Sequence, residues 1–245
     1  MPPVEPVADP TRFVLVGTSH AGNVGAAARA MKVMGYTDLV LVAPRFDDVL
    51  GRPDAIAMAS GATDVLDSAR VVATLVEALD GVTFACATAM TPRDFGPPTH
   101  APRELFASLA PSGQRVAFVF GSERYGMANE DVYRCHACLS IPTGPGYGSL
   151  NLAQAVQLIA YDWRQAQGGF AVTPRTAEPA LADAVAVQGV LEHWRQCLVD
   201  IDFLDPDAPK KLMPRLNQLL NRAQLTREEV HILRGIARAV GKLTP

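Results

Sequence analysis

Short apolar runs alternate with segments that favour helices along most of the chain, and this alternation constrains the fold more than any other feature. Phe13–Val16 and Leu39–Val42 are rich in β-branched residues, and they flank the alanine-rich segment Asn23–Met34. A strand–helix–strand order predicts two parallel strands, because a helical crossover brings the chain back to the same edge of the sheet. Asn23 is predicted to cap this helix and Gly35 to end it.

The same alternation continues downstream and predicts an α/β fold, with a parallel sheet and helices on both faces. The further predicted strands are Val71–Val72, Thr83–Thr88, Val116–Phe120 and Leu139–Ile141, with a helical turn at Leu75–Leu79. These strands are almost continuously apolar, which is typical of strands covered on both faces. Leu150–Gln165 is predicted to be a helix with Ser149 as its N-cap, and the proline-rich segment Thr91–Arg103 is predicted to be a loop.

The pattern changes after residue 167. Glycine and proline cluster in residues 168–183, which are predicted to be a linker. Residues 184–245 are predicted to be a small helical extension, with helices at Ala184–Phe203, Pro209–Ala223 and Thr226–Val240. Pro209 suits a first-turn position, and Thr226 followed by Glu229 has the spacing of a capping box. Residues 1–11 are predicted to be a disordered tail, which leaves residues 12–167 as the main domain.

Charge is distributed unevenly along the chain. The whole sequence has a net charge of −3, which argues against a generally basic nucleic-acid-binding coat. From Asp205 to the end, however, 8 Lys and Arg stand against 4 Asp and Glu. This basic segment is either a surface that meets phosphates or an ordinary solvated helical face, and charge alone favours neither.

The sequence predicts a cytoplasmic protein without a metal. Residues 1–10 contain no basic start followed by an apolar run, and no apolar stretch is long enough to span a bilayer. In a reducing compartment, its cysteines are expected to be free thiols; they are Cys86, Cys135, Cys138 and Cys197. Cys135 and Cys138 form one close pair, but a structural zinc site needs four ligands and no second cluster is present in the sequence.

Three segments carry residues that suit chemistry, and the first is Gly22–Gly25 at a predicted strand-to-helix turn. It matches neither a phosphate-binding loop, which needs Gly-Lys-Ser/Thr, nor a dinucleotide fingerprint, which needs a third glycine. Arg29 and Lys32 follow with a spacing that places them on one helical face. We expect them near the start of the helix, where anions are favoured. The alternative is a surface helix with two basic residues.

The other two segments follow later strands. Gly121–Gly126 comes directly after an apolar strand, which places Glu123 at the carboxyl edge of the sheet, where α/β proteins bind ligands. The Gly- and Pro-rich segment Ile141–Ala153 leads into a helix, and its amides could hold a carboxylate or the edge of an adenine. Ser149 and Asn151 add a hydroxyl and an amide group there. Loop charges and simple helix capping are the alternatives.

Together the three segments resemble the SPOUT class of RNA methyltransferases, in its TrmH-like (SpoU) branch. The resemblance is carried by Asn23–Gly25 with Arg29, by Gly121–Arg124 with Gly126, and by Ser149–Ala155. Similarity to the TrmJ group within this branch extends over Thr18–Asn23, Ala59–Asp64 and Leu216–Gly235, so that it covers almost the whole chain past residue 12.

The resemblance implies an S-adenosyl-L-methionine-dependent 2′-O-ribose methyltransferase that modifies a pyrimidine at the first anticodon-loop position of tRNA. It also implies a trefoil knot near the C-terminal side of the main domain, and a homodimer whose active site uses both subunits. The implied catalytic residues are Arg29, Asn23, Glu123, Ser149 and Asn151. The implied cofactor-binding residues are Thr88, Ala89, Met90, Gly121, Glu123, Ile141, Gly148, Ser149 and Leu150. The expected RNA-binding residues are Arg29, Lys32, Lys210, Lys211, Arg215 and Arg222.

Two positions depart from the pattern of the family. Gly148 stands where the family often has a first serine, so only Ser149 carries a hydroxyl there, and Ser122 stands where the family often has an arginine. Three other functions stay open. They are methylation of ribosomal RNA by an enzyme of the same class, a catalytically silent RNA-binding dimer, and a generic nucleotide-dependent α/β enzyme, which the failed phosphate-loop patterns disfavour.

Overall fold

The computed structural model describes residues 9–89, 93–173 and 179–242. The chain divides into two compact units, Met1–Ala171 and Val172–Pro245. Of the expected features, the tail at residues 1–8, Met90 and part of the linker lie outside the described residues. Within the described part of the chain, no helix is long and apolar enough to cross a membrane.

The first unit is an α/β fold built on a seven-stranded parallel sheet, which confirms the predicted fold class. The strands are β1 (Arg12–Val16), β2 (Asp38–Val42), β3 (Arg70–Val72), β4 (Phe84–Thr88), β5 (Thr99–His100), β6 (Val116–Phe120) and β7 (Ala137–Leu139). Their order across the sheet is β3-β2-β1-β6-β4-β7-β5. The chain therefore proceeds from β1 to β2 and β3 in one direction, and β6 lies on the other side of β1. Loops that leave β1 and β6 diverge at such a switch point and form a crevice.

Helices cover both faces of this sheet. They are α1 (Ala21–Val33), α2 (Pro53–Ala59), α3 (Thr63–Ser68), α4 (Leu75–Ala78), α5 (Pro102–Leu109), α6 (Asn129–Tyr133) and α7 (Leu152–Ala166). Side chains alternate between the faces of a strand. Phe13 accordingly joins a buried cluster with residues of α1, α5 and α7, whereas Val14 joins a second cluster with residues of α4 and α6.

Several boundaries differ from the sequence-based expectations. β7 ends at Leu139 and not at Ile141, so Ile141 belongs to the following loop. The segment expected to be a loop up to Arg103 contains β5, which pairs with β7, and Pro102 begins α5. Proline suits that first-turn position because its missing N–H would lack a partner there in any helix.

Helix α1 also begins differently from the expectation. It starts at Ala21, and His20 occupies the N-cap without a side-chain hydrogen bond, so Asn23 does not cap it. The predicted end is confirmed, because Gly35 follows the C-cap Met34 with a φ of 78°. Only glycine adopts such a left-handed conformation without strain.

In residues 179–242, which the structure describes, the second unit contains three helices, α8 (Ala184–Asp200), α9 (Leu212–Ala223) and α10 (Arg227–Gly241). Thr226 and Glu229 form the predicted capping box of α10. Pro209 is not in the first turn of α9, which begins later, at Leu212. A small core forms around Val190, Leu225 and Val230, and α9 has no buried residue among those that the structure describes.

Candidate functional site

A cavity of about 290 Å³ lies at the carboxyl edge of the sheet, where the loops after β4, β6 and β7 meet the start of α7. We call it the first cavity. Its lining residues are Thr88, Ala89, Arg93, Phe120, Gly121, Ser122, Glu123, Gly126, Met127, Leu139, Ile141, Gly148, Ser149, Leu150, Leu152 and Ala155. The lining thus includes every expected cofactor-binding residue that lies in the described part of the chain. Parallel strands place their carboxyl ends on one edge, which is why segments distant in sequence meet there.

A tight turn after β6 holds Glu123 in the wall of the first cavity. The backbone of Ser122 and Gly126 exchanges two hydrogen bonds, with N–O distances of 3.1 and 2.9 Å. A Cβ atom on Gly121 would overlap the backbone of Gly126 and Met127, and Gly126 itself has a φ of 67°. Both positions therefore require glycine, one for lack of space and the other for its backbone conformation.

The Glu123 carboxylate accepts three hydrogen bonds from residues that follow β1. Ser19 donates to Oε2 from its backbone N at 2.8 Å and from its Oγ at 2.7 Å. Asn23 donates to Oε1 from its Nδ2 at 2.8 Å. Burial by itself raises the pKa of Glu123, but these hydrogen bonds outweigh it and hold the pKa below its ordinary value. Glu123 therefore remains a carboxylate that ties the loop after β6 to the start of α1.

Asn23 also forms a hydrogen bond with the residue at the start of α7. Its Oδ1 accepts a hydrogen bond from Asn151 Nδ2 at 3.1 Å, so Glu123, Asn23 and Asn151 form one hydrogen-bond chain. Asn151 is also the N-cap of α7 and forms a capping box with Gln154. The expected cap at Ser149 is therefore wrong, and α7 begins at Leu152. Ser149 is exposed on the wall of the first cavity.

A second, more open cavity of about 750 Å³ lies on the other side of Asn23 and Asn151. We call it the second cavity. It is lined by Ser19, His20, Ala21, Gly22, Asn23, Arg45, Phe46, Arg52, Asp54, Ala57, Met58 and Asn151. Its walls are the start of α1, the loop after β2 and helix α2. Helix α2 comes close to α1 because Gly25 has no Cβ, which would overlap the carbonyl group of Ala55.

Arg29 and Lys32 lie away from both cavities. Arg29 is exposed past the middle of α1, and Lys32 is in the last turn, so the expected position near the start of the helix is wrong. Lys32 Nζ donates to Asp64 Oδ1 at 2.7 Å and to the Gly61 carbonyl oxygen at 2.8 Å. Among the described contacts, Arg29 has no such carboxylate partner.

The remaining expected RNA-binding residues belong to the second unit. Lys210 and Lys211 precede α9, and Arg215 and Arg222 lie on it; all four are exposed.

The cysteines that drew attention as a possible metal pair are part of the core. All four cysteines are buried free thiols, and burial raises the pKa of Cys135 to about 12. His136, between Cys135 and Cys138 in sequence, accepts a hydrogen bond at Nδ1 from the Ala85 amide at 3.0 Å and stacks on Phe84. Among the described residues, no group of three or more His, Cys, Asp or Glu could hold a metal ion.

Several site residues were not anticipated from the sequence. Ser19 is the main anchor of Glu123, and Leu139 and Leu152 contribute apolar surface to the first cavity. Arg93 also lines that cavity. Arg45, Phe46 and Arg52 form a cluster in the second cavity. Ser19 and Leu152 lie in segments that carry the family resemblance, but nothing in those segments marked their contacts. The other residues lie in no motif, and only the convergence of loops at one sheet edge brings them to the site.

Comparisons with known proteins agree with this geometry. The SpoU rRNA Methylase family matches residues 10–161, and the C-terminal domain of the tRNA methyltransferase TrmJ matches residues 185–244. The tRNA (cytidine/uridine/adenosine-2′-O-)-methyltransferase TrmJ of Pseudomonas aeruginosa is 43% identical over 241 residues, which cover 93% of this chain and 92% of that protein.

Solved structures show the same similarity. TrmJ from Z. mobilis is 30% identical, with a TM-score of 0.80, and the match covers 94% of this chain and 99% of that one. The SpoU methyltransferase AviRb from Streptomyces viridochromogenes, solved in complex with the cofactor AdoMet, shares the fold with a TM-score of 0.53 at 22% identity, over 67% of this chain and 61% of that one. From its folded site and these matches, the chain belongs to the SpoU methylase family and, within it, to the TrmJ group.

Proposed function

We propose that the protein transfers a methyl group from S-adenosyl-L-methionine to the ribose 2′-hydroxyl of a pyrimidine in tRNA, at the first anticodon-loop position. One observation carries this proposal. The first cavity has the residues expected for the cofactor, and its Glu123 is linked through Asn23 to Asn151 in a second cavity that is open to a large substrate. Membership of the TrmJ group supports tRNA as the substrate.

The lining of the first cavity fits the cofactor chemically. Leu139, Leu152 and Met127 offer an apolar surface for an adenine ring, while the glycines at positions 121 and 148 leave backbone amides and carbonyls accessible to polar groups. Bound there, the cofactor supplies a methyl group on a positively charged sulfur. The carboxylate of Glu123 adds negative charge to the same wall, and Ser149 adds a hydroxyl.

The proposed role of the chain is to align the acceptor hydroxyl and to stabilise charge, since methyl transfer from a sulfonium needs in-line geometry and loss of a proton. The hydrogen bond between Asn23 and Asn151 holds the start of α1 against the start of α7. Ser149, which is exposed on the wall of the first cavity, is proposed to contact the reacting ribose.

Arg29 is proposed as the residue that stabilises the developing alkoxide and holds the adjacent phosphate. A guanidinium stays protonated in proteins and is therefore a poor general base. Because Arg29 lines neither cavity of its own chain, we propose that it serves the site of a partner subunit in a homodimer. Lys210, Lys211, Arg215 and Arg222 would bind tRNA phosphates, and Lys32 is a weaker candidate because it is already paired with Asp64.

We also propose the finer features implied by the family. These are a trefoil knot formed by the loops around the first cavity, a cytoplasmic location, a methyltransferase domain at residues 12–167 and a helical extension at residues 184–245. The strand order supports the proposed knot. The loops after β4, β6 and β7 all reach the first cavity, and these strands are neighbours in the sheet in the order β6-β4-β7, which differs from their order in the chain.

The test is methyl transfer from labelled S-adenosyl-L-methionine to bulk tRNA, followed by mapping of the modified nucleotide. Purified ribosomal RNA and the variant Arg29→Ala are the controls. We expect ribose methylation of a pyrimidine in the anticodon loop, and a fall in kcat of about 100-fold or more in Arg29→Ala, as for the loss of a charge-stabilising donor. Transfer to ribosomal RNA alone would overturn the substrate, and RNA binding without any transfer would indicate a silent binding dimer.

A mixing experiment tests the composite site. Arg29→Ala disables the residue offered to the partner, whereas Gly121→Ala disables the first cavity. In a re-equilibrated equal mixture, half of the dimers contain both variants and each has one intact composite site, so activity should recover to about a quarter of wild type. A mixture as inactive as its components would show that Arg29 acts within its own subunit.

The role of Arg29 as a charge stabiliser and not a base has its own test. Single-turnover rates measured against pH should show the same ionisation in the wild type and in Arg29→Lys. A dominant ionisation that disappears in Arg29→Lys would contradict it.

A further inference from the structure

The cluster of Arg45, Phe46 and Arg52 in the second cavity has no role in the function described so far. We propose that Arg45 binds a backbone phosphate of the substrate RNA beside the target nucleotide, which the second cavity accommodates. This inference rests on the proposed function, since it assigns a substrate contact to the same reaction. It is carried by the position of Arg45, by its free charge and by the chemistry of the acceptor.

The backbone of Arg45 is attached to the loop between β1 and α1. Its backbone N donates to the carbonyl oxygen of Thr18 at 3.0 Å. The next residue, Ser19, donates twice to Glu123 in the wall of the first cavity. The loop after β2 is therefore attached to the loop that holds Glu123. One backbone hydrogen bond, from Arg45 to Thr18, and one peptide unit, from Thr18 to Ser19, connect the backbone of Arg45 to the residue that binds Glu123.

The two arginines of the cluster differ in how far their charge is compensated. Arg52 lies over the Phe46 ring at 4.0 Å, and its Nη1 donates to Asp48 Oδ1 at 3.2 Å. Arg45 lies over the same ring at 5.2 Å and is exposed. Among the described contacts, Arg45 pairs with no carboxylate. Arg45 thus presents an uncompensated guanidinium to the second cavity.

Phe46 makes that guanidinium a better binding group. The ring is partly buried against the main core, so it is a fixed platform. A guanidinium that lies over an aromatic ring loses freedom before it binds, and its edge remains available for two parallel N–H···O bonds to a phosphate. Asp54 also lines the second cavity and would repel an anion, which restricts the phosphate to the side of Arg45.

The reaction itself requires a phosphate nearby. A ribose 2′-hydroxyl is adjacent to the 3′-phosphodiester, so an RNA chain that places its hydroxyl against the first cavity must carry a phosphate within a few ångströms of it. The anticodon loop is single-stranded, and its backbone can enter an open cavity of about 750 Å³. Arg45 lines this cavity together with Asn23 and Asn151, so its cation is available to that phosphate.

The test compares Arg45→Ala with Arg45→Lys and with Arg115→Ala. Arg115 is an exposed arginine just before β6, at the amino edge of the sheet, so Arg115→Ala removes the same charge on the opposite side of the unit. For each protein we would measure kcat and KM for tRNA, the affinity for S-adenosyl-L-methionine, and tRNA binding at several salt concentrations.

We expect Arg45→Ala to raise the KM for tRNA about tenfold, as for the loss of one charged hydrogen-bonding group, with little change in cofactor affinity. The slope of log K for tRNA against log salt should decrease in magnitude by about 0.7, the value for one single-strand phosphate contact. Arg45→Lys should restore the slope and only part of the KM, because lysine keeps the charge but not the two parallel bonds.

Two failures are distinguishable. If the wild type methylates tRNA but Arg45→Ala matches Arg115→Ala in KM and salt slope, the inference is overturned and the proposed function stands. If the wild type transfers no methyl group to tRNA, the proposed function fails and the inference fails with it. An unchanged thermal unfolding midpoint in Arg45→Ala, expected for an exposed side chain, ensures that the comparison is between folded proteins.

Discussion

The hydrogen-bond chain of Glu123, Asn23 and Asn151 connects the first and second cavities, which differ in how open they are and in the charged side chains that line them. Leu139 and Leu152 give the first cavity a partly apolar wall, and turns that require glycine at positions 121 and 126 set its shape. The second cavity is more open, and its lining combines the apolar side chains of Phe46 and Met58 with the charges of Arg45, Arg52 and Asp54.

With this difference between its two cavities, one site can accept two unlike ligands. A small molecule with an apolar ring gains most from an enclosed surface whose shape is fixed by the backbone. A large polyanion gains most from exposed cations that keep their charge and remain in contact with water. Substitutions at the glycines that shape the first cavity should therefore affect stability and cofactor affinity together, whereas substitutions of the arginines in the second cavity should mainly affect RNA affinity.

The largest effect is expected at the most constrained backbone position of the first cavity. Gly121→Ala forces a Cβ into the backbone of Gly126 and Met127, and we expect it to lower the free energy of unfolding by about 3 kcal/mol. Cofactor affinity should fall with it, because the same turn lines the cavity. Urea denaturation and calorimetric titration measure the two. Gly61→Ala is the control, since its Cβ would meet no atom within 4 Å, and equal stability of both variants would contradict the argument.

A smaller loss is expected from Glu123→Gln, which removes the charge at the border. We expect the free energy of unfolding to fall by about 1.5 kcal/mol at neutral pH. This is the lower end for hydrogen bonds to a charged group, because Glu123 is only half-buried. Its pKa is lowered in the folded state, so this stabilisation is present above the ordinary carboxyl pKa and is lost as the pH falls through the lowered value.

Urea denaturation of wild type and Glu123→Gln at a series of pH values checks this sign. The difference between the two should shrink in acid, while the exposed-residue control Glu104→Gln on α5 should show little difference at any pH. A difference that grows as the pH falls would mean that the Glu123 carboxylate is not stabilised by Ser19 and Asn23.

Two variants of Asn151 distinguish its role as the N-cap of α7 from its hydrogen bond to Asn23. Asn151→Ala should lower the free energy of unfolding by about 1 kcal/mol, because the Ala153 amide loses its acceptor. Asn151→Asp keeps that acceptor and should recover most of the stability, but it cannot donate to Asn23, so methyl transfer should stay low. Thermal unfolding and single-turnover rates measure the two properties. If activity returns together with stability, the link to Asn23 is not needed for the reaction.

The smallest change in stability is expected from Ser149→Ala. Ser149 is exposed and is not the cap of α7, so the free energy of unfolding should change by less than about 0.5 kcal/mol. The rate of methyl transfer should nevertheless fall, because the hydroxyl lines the wall of the first cavity. Thermal unfolding is compared with kcat in the same preparation, and parallel losses in both would assign Ser149 a structural role only.

Much of the first unit was predictable because local composition and tertiary environment agree there. Val116–Phe120 is a strand with the predicted limits, since all of its residues are apolar and all are buried. The capping box of α10 was also recognised, from Thr226 and Glu229. Asn151 and Gln154 have the same spacing and form the capping box of α7, so the sequence also carries the signal for the observed cap, two residues after Ser149. The sequences of the short helices α2, α3 and α5 contain no comparable periodic spacing of apolar residues.

Most of the strands, the C-terminal ends of several helices and the identity of the three motifs follow from the amino-acid sequence, because apolar periodicity, glycine conformations and caps are properties of a few neighbouring residues. Strand β5, the short helices and the contacts between the motifs follow only from the tertiary structure. Asn23 was expected to act on its own helix, but it bonds to Glu123 and Asn151, which are about 100 and 130 residues away in the chain. The backbone of Arg45, in the loop after β2, donates a hydrogen bond to the carbonyl group of Thr18, in the loop after β1. Such pairings depend on the order of strands in the sheet, since the loops that meet at its carboxyl edge are chosen by topology and not by proximity in sequence.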